Sequence, residues 1–85
     1  MAHTRSAKKR IRQAEKRTLR NRSWISRVRT AARRVREARA LGDEEKLREA
    51  LRRAFSVIDK AQEKGIIHRN AAARRKSRLS RLARG

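Results

Sequence analysis

Cysteine, proline and tyrosine are absent from these 85 residues, glycine occurs three times, and tryptophan, phenylalanine and methionine occur once each. Without cysteine there is no disulfide framework and no thiolate metal site, so the fold rests on packing or on a partner. Without proline, and with glycine confined to Gly42, Gly65 and Gly85, few positions can stop a helix, which favours long helices punctuated at those points. No apolar run approaches the roughly 20 residues needed to span a bilayer, and the basic N-terminus lacks the apolar stretch of a signal peptide. The expectation is an unexported, cytoplasmic chain with no membrane partner. Large apolar side chains are scarce too. Leu, Ile, Val and Phe total fifteen, below the roughly 20% under which a highly charged chain tends to be disordered. Thirteen of them lie between Ile25 and Leu82, so only Ile11 and Leu19 serve the first 23 residues.

What is abundant is positive charge, +20 in all, and it is unevenly placed. Residues 1–36 carry fourteen Lys/Arg against the single Glu15, residues 37–64 carry seven against seven acids, and residues 65–85 carry seven against none. Charge of that density opposes compaction and calls for a polyanion beside it. Arginine outnumbers lysine 21 to 7. Its planar fork grips phosphate bidentately and stacks on bases, where lysine supplies a point charge. The two cationic blocks also lack the i,i+4 carboxylates that would make them ordinary solvated helix faces. Nucleic acid is the indicated partner.

The glycines divide the chain into three helices. Ser6 is the expected N-cap of the first, which nothing interrupts before Gly42. In its second half Ile25, Val28, Ala32 and Val35 recur at 3,4,3 spacing, flanked by Trp24, Ala31 and Ala38, and form an apolar stripe. In its first half, from Arg5 to Arg22, basic residues fall on every side of the helical wheel, leaving no face to pack on protein. Gly42 followed by Asp43 reads as a C′ glycine and then an N-cap, a tight turn between antiparallel helices. Leu47, Leu51, Ala54, Ile58 and Ala61 give the second helix a 4,3,4,3 seam with Phe55 beside it, and Glu44 and Glu45 suit the positive end of its dipole. Gly65 ends that helix, with Ile66 returning to the preceding turn. A third helix, starting between His68 and Asn70, carries Ala72, Leu79 and Ala83 with Leu82 adjacent. The expected fold is all-α: an antiparallel three-helix bundle over residues 24–85, with residues 1–23 projecting as a basic extension of one 85-residue unit.

Catalysis finds no support, because no acid/base pair, nucleophile with its base, or metal cluster is apparent. Asp43, Glu44, Glu45 and Glu49 read as cap, first-turn and i,i+4 residues, Glu49 with Arg53 for example. His3 and His68 have no second ligand at metal spacing. His68 stands equally between a turn residue tied to the backbone and a base or phosphate contact. Trp24 favours packing at the end of the apolar stripe over base stacking. No enzyme activity, cofactor, metal, small-molecule substrate or homo-oligomer is expected. The rivals are a general, nucleoid-type DNA binder, which has no helix-turn-helix reading element here, and a membrane-active helix, for which residues 5–22 lack a broad apolar face.

Two stretches, SAKKRIRQAEKR at 6–17 and GIIHRNAAARRKSRL at 65–79, together with Asn21, Ser26, Arg29, Thr30 and the Gly42–Asp43 turn, resemble the bacterial small-subunit ribosomal protein family S-twenty. The resemblance spans nearly the whole chain. It implies a three-helix bundle that binds small-subunit ribosomal RNA directly, with the long first helix lodged among RNA helices in the ribosome. Carried over by position, it places RNA contacts at Lys8, Lys9, Arg10, Lys16, Asn21 and Arg29 on the first helix, and at His68, Arg69, Asn70, Arg74 and Lys76 on the third. Ala71 and Trp24 depart from the family pattern. The basic blocks add Arg5, Arg12, Arg17, Arg20, Arg22, Arg27 and Arg34, then Arg75, Arg78 and Arg81. Asn21, His68, Asn70 and Ser77 can both donate and accept, which suits them to finer recognition.

Overall fold

A computed structural model describes residues 2–85, with side chains described from Thr4 onward. Helix α1 runs Ala2–Leu41, α2 runs Glu44–Glu63 and α3 runs Arg69–Arg84. An α-helix of 40 residues measures about 60 Å at 1.5 Å per residue, close to the 63 Å long dimension of the molecule. α1 therefore sets its length, and α2 and α3 fold back on its C-terminal half.

Ser6 is not an N-cap. It lies inside α1, which begins four residues earlier, since nothing in the preceding residues breaks a helix. The first interruption comes at Gly42, whose φ of +72° is strained for a residue with a Cβ; its N–H donates to the Arg39 carbonyl at 3.0 Å. Asp43 follows in an extended conformation and its carboxylate accepts from the Lys46 N–H at 3.2 Å, capping α2. At the far end of α2 the Gly65 N–H donates to the Gln62 carbonyl and the Ile66 N–H to the Ala61 carbonyl, both at 2.9 Å. With Gly65 at φ +73° this is a Schellman motif, and it turns Ile66 inward, half-buried against the core.

The core is built from small residues. Val28, Ala31 and Val35 of α1, Ala54, Ile58 and Ala61 of α2, and Ala72 and Leu79 of α3 form one buried cluster, with Trp24, Leu47, Leu51, Phe55, Ile66, Ile67 and Leu82 around it. Ala54, Ala61 and Ala72 are each 0% exposed, so the helices meet closely where a longer side chain would hold them apart. The α1 seam differs from the expected one. Val28 and Val35 belong to it, but its other buried members are Ala31 and Ala38, while Ile25 and Ala32 are only half-buried. Both registers share the two valines. The helix is rotated so that alanines, not Ile25, meet the facing helices.

Candidate nucleic-acid interface

Continued toward the N-terminus by the roughly 3.6 residues of each helical turn, the α1 seam of Ala38, Val35, Ala31, Val28 and Trp24 meets Arg20, Arg17, Gln13 and Arg10. The helix face that packs on protein in the bundle becomes cationic in the arm. Arg5, Lys8, Lys9, Arg10, Arg12, Lys16, Arg17, Arg20 and Arg22 are all exposed, and Asn21 is half-buried. The arm's charge does not fall on every side, however. Ala7, Ile11, Ala14 and Thr18 follow 4,3,4 spacing, and Ile11, Ala14, Glu15, Thr18, Leu19 and Arg22 line a shallow surface patch with Ile11 58% and Leu19 66% exposed. The narrow stripe stays exposed along its whole length in the arm.

On the bundle half of α1, Arg27, Arg29 and Arg34 are exposed. The Arg27 guanidinium lies 4.6 Å and the Lys64 ammonium 5.4 Å from the Trp24 ring centroid, so two cations cover the junction between arm and bundle. Trp24 itself is half-buried against the core, the role its place in the stripe favours. Arg27 and Arg34 also line a groove between α1 and α2 with Arg53, over a floor that includes Ala31, Ala50 and Val57. In the bundle the acids belong to α2 and its neighbourhood: Glu49 holds Arg53 at 2.7 Å, Glu44 lies 3.9 Å from Arg48, and Glu37 lies 3.5 Å from Arg33, all well exposed. Against expectation, the first cationic block therefore has one i,i+4 carboxylate, at its boundary with the middle segment. Exposed i,i+4 pairs stabilise little. Their effect is to leave the middle segment electrically quiet.

The N-terminus of α3 is organised by His68. Its backbone is extended, and its Nδ1 accepts from the Asn70 N–H at 3.1 Å. The imidazole is therefore an N-cap, and with Nδ1 accepting, the neutral ring carries its proton on Nε2, a donor left facing outward. Arg69, Asn70, Arg74, Ser77, Arg78 and Arg81 are exposed along the same helix, while Arg75 and Lys76 are half-buried. Lys76 reaches Asp59 of α2 in an ion pair and its ammonium lies 5.8 Å from the Phe55 ring centroid. Its charge is thus engaged within the bundle. Of the alanine run, Ala72 is buried, Ala71 half-buried and Ala73 exposed, so close approach is needed at one position only.

Two features escape a reading of the sequence. Arg39 donates to the Ala83 carbonyl at 3.2 Å, bracing the negative end of α3 from α1. Arg33 and Arg36 join Arg29, Thr30, Ala32 and Arg75 around one cleft between α1 and α3. Spacing of i+4 and i+7 from Arg29 puts Arg33 and Arg36 on its ridge, but only the fold adds α3. Among the described residues no group of three His, Asp or Glu side chains converges to hold a metal, and no helix is long and apolar enough to cross a membrane. His3 lies outside the described side chains.

Comparison with known proteins agrees with this arrangement. Residues 2–84 match the family model for ribosomal protein S20. The chain is 56% identical over 81 residues to small ribosomal subunit protein bS20 of Desulforudis audaxviator, covering 95% of this chain and 92% of that protein. It is likewise 56% identical over 81 residues to the bS20 of Persephonella marina, covering 95% and 88%, and 52% identical over 80 residues to that of Bordetella avium, covering 94% and 92%. A match over the whole helical architecture, at that identity, means that this chain belongs to the ribosomal protein S20 family.

Proposed function

We propose that the protein is a structural, non-enzymatic component of the small ribosomal subunit, acting in the cytoplasm as one 85-residue domain that binds small-subunit ribosomal RNA directly and stabilises its folding. The observation that carries this reading is the conversion of the α1 seam from Val/Ala in the bundle to Arg in the arm. RNA takes the place along residues 1–23 that α2 and α3 occupy along the rest of the helix. Arginines on both sides of the rod draw phosphate-rich RNA helices together, release their counterions, and leave shape to select the site. The contacts are Arg5, Lys8, Lys9, Arg10, Arg12, Lys16, Arg17, Arg20, Asn21 and Arg22 in the arm, Arg27, Arg29 and Arg34 beyond it, and His68, Arg69, Asn70, Arg74, Arg75, Ser77, Arg78 and Arg81 on α3, where Lys76 is held by Asp59 instead. Most contacts go to the backbone. Asn21, His68 through Nε2, Asn70 and Ser77 add hydrogen bonds to bases or 2′-hydroxyls.

The test is competition binding across a salt titration, with labelled ribosomal RNA from the same source against excess unrelated RNA and duplex DNA. With about eight phosphates neutralised, log K falls against log salt with a slope of roughly −6 to −7. Preference for ribosomal RNA that survives near-physiological salt supports the reading. A slope near −2, or equal affinity for duplex DNA at every salt, contradicts it and favours a nucleoid-type binder.

A further inference from the structure

Arg75 is the only one of the 21 arginines that is not exposed. It is half-buried at the α1–α3 junction, yet among the described residues it makes no ion pair and no side-chain hydrogen bond. Its neighbour Lys76, also half-buried, is paired with Asp59. Two adjacent cations are thus drawn out of water, and the protein neutralises one of them. The other faces a cleft of about 330 Å³ lined by Arg29, Thr30, Ala32, Arg33 and Arg36 of α1. No carboxylate lines that cleft, and the nearest acid in the sequence that engages any of its arginines is Glu37, which lies 3.5 Å from Arg33 on the exposed side. Partly desolvated positive charge without a counter-ion is costly. Like charges at i+3 and i+4 on α1 add to the repulsion.

We propose that this cleft is a phosphate site completed by the RNA backbone: Arg29, Arg33 and Arg36 from α1 and Arg75 from α3 close on adjacent phosphodiesters, with the Thr30 hydroxyl as a neutral donor. The inference rests on the ribosomal RNA reading above and extends it. Arg33 and Arg36 become binding residues, and α3 becomes a jaw whose seating on α1 is coupled to RNA. Between α1 and α2, Glu37 and Glu49 line the groove nearest the Gly42 turn beside Arg34 and Arg53, and in the adjoining groove of Arg27 and Arg34 the third arginine, Arg53, is already held by Glu49. The α1–α3 cleft has only positive charge to offer.

The experiment pairs Arg36→Gln with Arg75→Gln and compares the double variant with Arg48→Gln/Arg52→Gln on α2. Loss of two phosphate contacts makes the salt slope shallower by about 1.5–2, so the affinity lost between 50 and 200 mM salt shrinks roughly tenfold. The α2 pair leaves the slope unchanged. A wild-type slope in the cleft variant overturns the proposal while ribosomal RNA preference in the unaltered protein leaves the broader reading standing. Should the cleft variant lose its helical circular dichroism, the unaltered chain decides by NMR of the arginine Nε–H groups. Saturable shifts at Arg75 and Arg36 on adding a short RNA duplex support the site, and shifts no larger than those of Arg48 and Arg52 overturn it. Saturation by inorganic phosphate with no response to RNA identifies a free-anion site and overturns it equally. The NMR arm reads the cleft even if the protein shows no preference for ribosomal RNA, so the two readings fail separately.

Discussion

Single residues at the helix ends do two kinds of work. Asp43 was legible from its place after Gly42, because a short acceptor behind a C′ glycine has one obvious use. His68 was not, since an imidazole can serve the backbone or a ligand, and only the 3.1 Å bond from the Asn70 N–H to Nδ1 assigns the ring. The same bond leaves Nε2 as an outward donor, so the two readings of His68 are compatible. They separate on substitution. His68→Ala removes the cap and lowers stability in urea by about 1 kcal/mol, whereas His68→Ser supplies a new acceptor and restores most of it. RNA affinity stays reduced in both variants, because neither carries the Nε2 donor. Full recovery of RNA binding in His68→Ser makes His68 a cap alone; no recovery of stability removes the cap from the account.

At the scale of helices, the sequence specified elements better than faces. All three helices and both turns follow from three glycines, the absence of proline and the 3,4 recurrence of apolar residues. The α1 face was displaced by one ridge, because Ile25 is the larger hydrophobe and pulls the expected seam toward itself. The packed seam instead follows Ala31 and Ala38, where short side chains let the facing helices come close. Alanine in this protein is a spacing device, and periodicity cannot tell such an alanine from one present for helix propensity alone. The distinction is measurable. Ala54→Leu, at a site 0% exposed, overpacks the helix contact and costs about 1–3 kcal/mol in denaturant unfolding. Ala73→Leu, on the exposed side of α3, changes stability by no more than about 0.5 kcal/mol. Equal effects at the two sites contradict close packing as the reason for the alanines.

For the whole molecule, the sum of charge was legible from composition and its joining was not: Arg29 and Arg75 are 46 positions apart, and only the fold sets them on one cleft with Arg33 and Arg36. That difference decides how RNA acts on stability. A ligand that binds only the folded state raises stability by about 4 kcal/mol at a thousandfold excess over its Kd, which for a domain of this size is a shift of roughly 15–30 °C in Tm. An unfolded chain of charge +20 also binds RNA, and that affinity subtracts from the gain. Unrelated RNA, held by charge alone, binds both states nearly alike and moves Tm little. On the proposed reading, RNA whose shape fits the rod and its clefts binds the folded state preferentially. Trp24, the only tryptophan, sits where the arm meets the bundle and reports unfolding by its fluorescence when excited at the red edge of its absorption band, where RNA absorbs little. At saturating and equal nucleotide concentration, a cognate ribosomal RNA fragment raises the Trp24 melting midpoint by at least about 10 °C more than unrelated RNA of the same length, a margin set by the same linkage. Equal shifts from both RNAs mean that the folded shape contributes nothing beyond charge, and that the bundle merely carries a cationic tail.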